Sequence, residues 1–301
     1  MAQTADWIAV DWGASDLRAW AMRGEEVLDQ ANVAQGVTEA PQGGFEAALM
    51  ALVGKWINGA TTPVDVIVCG MAGARRGWAE VPCRAVPAEP LAAGLVTVPG
   101  TPGQVRVLLE PGLKQDRPAD LMHGDETRVA GYLAAHPNWD GVICLPGPLT
   151  RWVHASAGEV VSFQTFMTGE LFDLLAHRSV LRDSIGAGRD AAAFAEALDD
   201  SMARPERLAA HLFGLRARDL LQGVAPEVAA AQLSGLLIGA ELAAARPYWL
   251  GQQVVIIGTE DASRPYASAL ERQGVMPRRI DERDMTLAGL SVARRALRGP
   301  A

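Results

Sequence analysis

The 301-residue sequence predicts an α/β protein built from two similar domains with a cleft between them. Two observations carry this. A strand–turn–strand–strand unit at residues 7–31 recurs in the same element order at 142–163, and each unit is followed by helices and a further buried strand. The second half is mostly helical, as expected where helices cover the faces of a sheet.

The first unit opens with Trp7-Ile8-Ala9-Val10-Asp11, an apolar run into a carboxylate. A small, Gly-containing turn, with Gly13, Ala14 and Ser15, leads into a second strand at 17–23 and a third at Glu26–Ala31. An ordinary hairpin with a polar tip explains the stretch. So does a phosphate site, because a turn with little side-chain bulk lets backbone N–H groups approach an anion. Phe45, Leu49, Leu52, Val53 and Trp56 fall at helical spacing within 43–58. Val64–Cys69 reads as a strand buried on both faces, running into the small-residue turn Gly70–Trp78.

Residues 82–103 are rich in Pro and Gly and predict irregular chain with one short helix near Ala88–Ala93. Val105–Leu109 is a strand. A helix is expected to start after His123-Gly124, with Asp125 and Glu126 in its first turn, where acidic groups suit the helix dipole. The pattern then restarts with strand Val142–Leu145, the turn Pro146–Thr150 and strands at 151–155 and 159–163. Helices follow at 169–177, 190–200, 204–222 and 226–246, then strand Val254–Ile257 ending in Gly258-Thr259. Helices at 263–273 and 284–298 close the chain.

Composition narrows the function. The chain is 49% hydrophobic and 21% charged, which suits a packed globule. Its net charge is −8, with no basic run, which argues against nucleic acid or an anionic membrane as partner. The longest apolar stretch reads as too short and too interrupted by Gly and Glu to span a bilayer. The start lacks the basic and apolar regions of a signal peptide, so a cytoplasmic location is expected. Cys69, Cys83 and Cys144 have no metal or redox spacing, and two sit in apolar strands, as buried thiols do. Neither a Walker A sequence nor a GxGxxG fingerprint is present, which disfavours P-loop and Rossmann nucleotide binding. Two facing hairpin turns, one per domain, are the remaining cradle for a phosphate donor.

Several stretches in order carry a resemblance: VDWGASDLRAW at 10–20, GMAGARRGW at 70–78, HGDET at 123–127, and LPG at 145–147 with Arg151-Trp152. FQTFMTGELF at 163–172, SGLLIGAEL at 234–242 and GT at 258–259 complete it. In these the chain resembles the 2-dehydro-3-deoxygalactonokinases, sugar-acid kinases of the actin/hexokinase-like ATPase superfamily, over essentially its whole length. The resemblance implies two ribonuclease-H-like domains. One spans 1–137, completed by 284–301, with the sugar acid and first phosphate loop; the other spans 138–283, with the second phosphate loop and the adenosine. ATP and Mg2+ are the implied cofactors and a small sugar acid the implied partner; a homodimer is the assembly considered.

The resemblance also implies roles. Asp11 acts on Mg2+, usually through water, and Gly13, Ala14 and Ser15 form the first phosphate loop. Gly147 and Thr150 belong to the second. Gly235, Gly239, Gly258 and Thr259 lie around the adenosine, although close helix packing explains Gly235 and Gly239 equally well. Asp125 is the implied base for the acceptor hydroxyl and Glu126 its runner-up; stabilisation of the helix start is the plainer explanation. Arg18 and Arg75 suit bidentate recognition of a carboxylate, with Trp78 and Thr168 as further substrate contacts. Thr168 also suits a helix cap, with Glu170 in the first turn.

The sequence departs from that family pattern at four places. Pro148-Leu149 stand where Thr-His is usual, so an N–H donor and a polar side chain are lost. His123 replaces a usual Arg, Glu260 and Asp261 follow Gly-Thr where a hydroxyl is usual, and Asp16 replaces Asn. The expected activity is ATP-dependent phosphorylation of the 6-hydroxyl of 2-dehydro-3-deoxy-D-galactonate, a step of sugar-acid catabolism. Two alternatives stand beside it: a kinase-like protein that binds a sugar acid or nucleotide as a sensor without turnover, and a kinase for another 2-keto-3-deoxy sugar acid.

Overall fold

The structure, a computed structural model, describes residues 4–40, 43–91, 94–101 and 103–298. In chain order these form β1 (Trp7–Trp12), β2 (Leu17–Arg23), β3 (Glu26–Val33), α1 (Phe45–Ile57), β4 (Val64–Gly70) and, after a short 3-10 turn, β5 (Arg84–Ala85), β6 (Val96–Thr97), β7 (Val105–Leu109), β8 (Leu113–Asp116), β9 (Ala119–Met122) and α2 (Asp125–Ala135). The second run is β10 (Gly141–Leu145), β11 (Thr150–Ser156), β12 (Glu159–Phe166), α3 (Thr168–Arg178), α4 (Ala191–Ala203), α5 (Leu208–Gln222), α6 (Pro226–Ala244), α7 (Arg246–Trp249), β13 (Val254–Ile257), α8 (Glu260–Arg272), β14 (Arg278–Ile280) and α9 (Glu282–Arg298).

Two sheets share one plan. The first has the order β3-β2-β1-β4-β7-β6 and the second β12-β11-β10-β13-β14. In each, the opening strand pairs antiparallel with the next and parallel with a later strand: Val10 faces Ala19 on β2 and Val68 on β4, and Ile143 faces Val153 on β11 and Val255 on β13. The duplication of elements expected from the sequence is thus a duplication of sheet topology.

The chain forms two compact units. One comprises residues 1–139, 156–162 and 282–301; the other comprises 140–155 and 163–281. In the first unit every residue of β1 is buried. Ile8, Val10 and Trp12 pack with Phe45, Leu49, Val53 and Trp56 of α1, while Trp7 and Ala9 on the other face pack with Leu290 and Ala293 of α9. Two covered faces explain the unbroken apolar run. In the second unit Val142, Cys144 and Trp152 meet Phe194 of α4, Ile238 and Leu242 of α6, and Tyr266 and Leu270 of α8. Cys69 and Cys144 are buried, and burial pushes both thiols well up.

Several boundaries differ from expectation. Ala88 is not helical but makes an isolated bridge to Val160, and Ala92 and Ala93 lie outside the described residues. The three-stranded sheet β5-β8-β9 and strand β14 were not expected. Their segments are short, half exposed and polar, so no period-two apolar pattern marks them. α8 begins three residues early because Thr259 caps it, its Oγ1 accepting from Ala262 N at 3.3 Å. α6 is long and apolar enough by composition to cross a bilayer, and it packs against α4 and α5.

Candidate active site

The end of β1, the start of β2 and the first turn of α2 bring charged groups together in the first unit. Asp11, 4% exposed, ends the apolar part of β1. Its Oδ2 accepts from Arg18 Nη2 at 2.8 Å and from Arg128 Nη2 at 3.2 Å. Arg128 Nη1 donates to Asp125 Oδ1 at 2.6 Å. Arg18 Nη1 donates to Glu282 Oε1 at 2.7 Å, and Arg18 Nε stands 3.1 Å from Asp16 Oδ2. The result is an alternating chain, Asp125–Arg128–Asp11–Arg18–Glu282, with Asp16 at its side. Four carboxylates against two guanidiniums leave an excess of negative charge. Asp16 registers it: burial, with Asp11 and Glu282 nearby, raises its pKa, and Arg18 only partly offsets this.

Glycines let these elements meet. A Cβ on Gly70 would stand 2.4 Å from Trp12 O, and one on Gly124, just before α2, would stand 3.0 Å from Gly70 Cα, so the ends of β1, β4 and α2 converge. The first loop is tied from outside: Gly13 O accepts from Val37 N at 3.0 Å and Ala14 O from Thr38 Oγ1 at 2.6 Å. Gly13 N donates to Asp16 O at 2.9 Å. Ala14 and Ser15 remain exposed at the tip.

Other expected residues are placed differently. Glu126 is turned back on its own helix and is 1% exposed; its Oε1 accepts from Gly124 N at 2.7 Å, which stabilises the helix start. Trp78 packs edge-on to Trp12, with centroids 6.0 Å apart, and stacks on Phe45, which makes it part of the core boundary. Arg75 is exposed in the turn after β4.

In the second unit a cavity of about 370 Å³ is lined by Pro146, Gly147, Pro148, Thr168, Gly169 and Tyr266, among others. A larger one of about 670 Å³ adjoins it across Phe172, Ser234 and Pro265, and is walled by the 186–190 segment, Ala230 and Ala231 of α6, and Asp261 and Arg264 of α8. Gly147 carries no neighbour closer than 3.5 Å on its Cβ side. Thr150 is fully buried, its Oγ1 2.7 Å from Tyr266 Oη, so its hydroxyl serves an internal network rather than an open loop. That network centres on Glu241, which accepts from Trp152 Nε1 at 2.7 Å, from Tyr266 Oη at 2.7 Å and from Thr168. Burial raises the Glu241 pKa and the three hydrogen bonds pull it back. Thr168 thus lines the cavity while its hydroxyl binds Glu241, and it does not cap α3, whose N-cap is Met167.

Gly235 and Gly239 line neither cavity. A Cβ on Gly235 would stand 2.4 Å from Phe194 O, and one on Gly239 2.6 Å from Leu198 O. The room they leave on that side is filled by α4. Gly258 sits tightly against Pro146 and Ser263, and Thr259 caps α8.

Arg128, Thr286, Glu282 and Glu241 were missed. Arg128 is three residues after Asp125, a spacing that already puts both on one helix face. Glu241 is the single carboxylate in the apolar stretch after Ser234, a readable sign of a buried polar centre. Glu282 and Thr286 have no local signal.

The profile of the 2-keto-3-deoxy-galactonokinase family matches residues 11–293. The chain belongs to this family. A probable 2-dehydro-3-deoxygalactonokinase of Rhizobium meliloti (strain 1021) is 37% identical, covering 96% of each chain, and the 2-dehydro-3-deoxygalactonokinase of Escherichia coli (strain K12) is 34% identical over 90% of this chain and 91% of its own. A crystal structure from Sinorhizobium meliloti, named for the same activity, superposes with a TM-score of 0.89 at 35% identity, covering 97% of this chain and 99% of that one. The activator of 2-hydroxyisocaproyl-CoA dehydratase from Clostridium difficile matches at TM-score 0.53 and 11% identity, covering 95% and 93%. The fold of this 2-keto-3-deoxy-galactonokinase family member is that of the actin- and hexokinase-like ATPases.

Proposed function

We propose that the protein uses ATP to phosphorylate the 6-hydroxyl of 2-dehydro-3-deoxy-D-galactonate, in the cytoplasm, as a step of sugar-acid breakdown. The observation that carries the reading is the link Asp11–Arg128–Asp125: one guanidinium joins the carboxylate at the tip of β1 to the carboxylate that opens α2. Asp125 accepts the proton of the acceptor hydroxyl as it attacks.

The residues fit Mg2+ by charge. The excess of two negative charges in the Asp11 cluster is what a divalent cation cancels, and Asp11 would hold the ion through water. Magnesium supplies charge neutralisation of the phosphates. In the second unit Gly147, the one residue of the turn 146–148 that has a backbone N–H, and the N-terminus of α3 would offer donors to the phosphates. The larger, mainly apolar cavity suits an adenosine.

The test is a coupled ADP-release assay over a panel of 2-keto-3-deoxy sugar acids, with the wild type and Asp125→Asn. Stimulation by 2-dehydro-3-deoxy-D-galactonate that is lost in the variant is expected. Sugar-acid binding in calorimetry with no ADP release from any acid would overturn the reading.

A further inference from the structure

Helices α2 and α9 touch backbone to backbone. A Cβ on Gly131 would stand 2.1 Å from Met285 O, and one on Gly289 2.0 Å from Thr127 O, closer than side chains permit. This approach brings Glu282 and Thr286, one turn apart on α9, to the site. Thr286 Oγ1 accepts from Arg128 Nε at 3.3 Å and donates to the Glu282 carbonyl oxygen at 2.8 Å. Arg128 is thereby pinned through its inner nitrogen, and its two outer nitrogens are aimed at Asp125 and Asp11. The Glu282 carboxylate binds Arg18 at 2.7 Å and lies 4.0 Å from Arg128 Nη2, so α9 supports both arginines that hold Asp11.

We infer that α9 is a positioning element of the phosphoryl-transfer site and that Arg128, anchored by Thr286 and Glu282, is the positioning residue that fixes the Asp125 carboxylate toward the acceptor hydroxyl. The inference rests on Asp125 as the base. Its physical basis is the rigidity of guanidinium: three nitrogens in one plane, each with a partner on a different segment, leave Arg128 a single orientation. A carboxylate held at 2.6 Å by that plane shares the constraint. Lysine, a point charge on a flexible stem, reaches one partner and orients none. Geometry of this kind acts on the chemical step, because a displacement of about 1 Å costs up to ~100-fold in rate.

The experiment measures kcat, the KM of each substrate and the melting temperature for Arg128→Lys, Thr286→Val, Thr286→Ser and Asp125→Asn. Arg128→Lys should lower kcat about 100-fold with the KM for ATP unchanged. Thr286→Val keeps the shape and loses the hydroxyl, and should lower kcat about 10-fold; Thr286→Ser restores the hydroxyl and should return kcat to near the wild-type value. Placed in the Arg128→Lys background, Thr286→Val should cost nothing further, because it acts through Arg128. Equal losses from Thr286→Val in both backgrounds, or a lowered melting temperature with kcat intact, overturn the inference. If Asp125→Asn is inactive while Arg128→Lys turns over normally, the base assignment stands and the positioning role falls. If Asp125→Asn turns over normally, the base assignment itself falls and takes this inference with it.

Discussion

Gly169 lies against Gly147 so closely that a Cβ on it would stand 2.2 Å from the Gly147 carbonyl oxygen. Glu170 N donates to Pro148 O at 2.8 Å, so the first turn of α3 and the 146–150 turn form one rigid piece. Both line the smaller cavity of the second unit. Gly169→Ala must push the turn or the helix aside, at an overpacking cost of about 1–3 kcal/mol. If the piece cradles the phosphates, the KM for ATP should rise by about 10-fold, with the KM for the sugar acid unmoved. Steady-state kinetics with each substrate varied in turn would show it, and an unchanged KM for ATP separates this turn from the nucleotide.

Gly235 and Gly239 make the opposite prediction. Their Cβ directions point into the backbone of α4, at Phe194 O and Leu198 O. Alanine at either position therefore strains helix packing, costing about 1–3 kcal/mol. A lowered melting temperature with the KM for ATP unchanged is expected. A raised KM for ATP with normal melting would return these glycines to the adenosine.

Glu110 gives a pH dependence with a definite sign. It is 3% exposed, and its Oε1 has no hydrogen-bond partner among the described residues. Burial first, and then the carboxylate of Glu126, push its pKa to about 8, against the pull of Arg84. Between the ordinary carboxylate range and pH 8 the folded protein thus binds a proton that the unfolded chain has released. This stabilisation is complete below the unfolded value near 4.5 and is lost as pH rises through about 8. Stability should fall across that window by up to about 1.4 kcal/mol per pH unit from this group. Glu110→Gln, which keeps the shape without the titration, should flatten that slope in denaturant unfolding at pH 5 to 8. A slope unchanged by the substitution would rule the group out.

What the sequence made legible follows from how local the signal is. β1 to β3 and β10 to β12 are apolar runs divided by short turns, and the pairing of Asp11 with Arg18 across β1 and β2 follows from the hairpin itself. Asp125 was placed at a helix start by Gly124 and the acidic pair. Arg128 was visible at three residues' spacing, yet nothing local said that its partner across the chain is Asp11. Glu282 and Thr286 come from a helix more than 150 residues further on, and only the backbone contact at Gly131 and Gly289 brings them in. Gly235 and Gly239 show the reverse limit: four-residue spacing of small residues fits both a packed helix and a ligand wall, and nothing local reveals the contact with α4.

Pro148 is the departure from the family pattern with the most direct consequence. It is exposed beside Gly147 on the smaller cavity and contributes no N–H, while its carbonyl is already taken by Glu170 N. The turn therefore offers a phosphate one donor fewer than a chain with threonine there. Pro148→Thr returns an amide and adds a hydroxyl, and one net hydrogen bond contributes about 1 kcal/mol, more when the acceptor is charged. The KM for ATP should fall about 5-fold or more, with kcat and the KM for the sugar acid little changed. Leu149→His, which adds a donor from a half-buried position, should lower it further in the double variant. Titration of a non-hydrolysed ATP analogue into wild type and variants would report the same gain as binding. If affinity stays level or drops, the phosphates do not rest on this turn, and the cradle must be sought at the start of α3 alone.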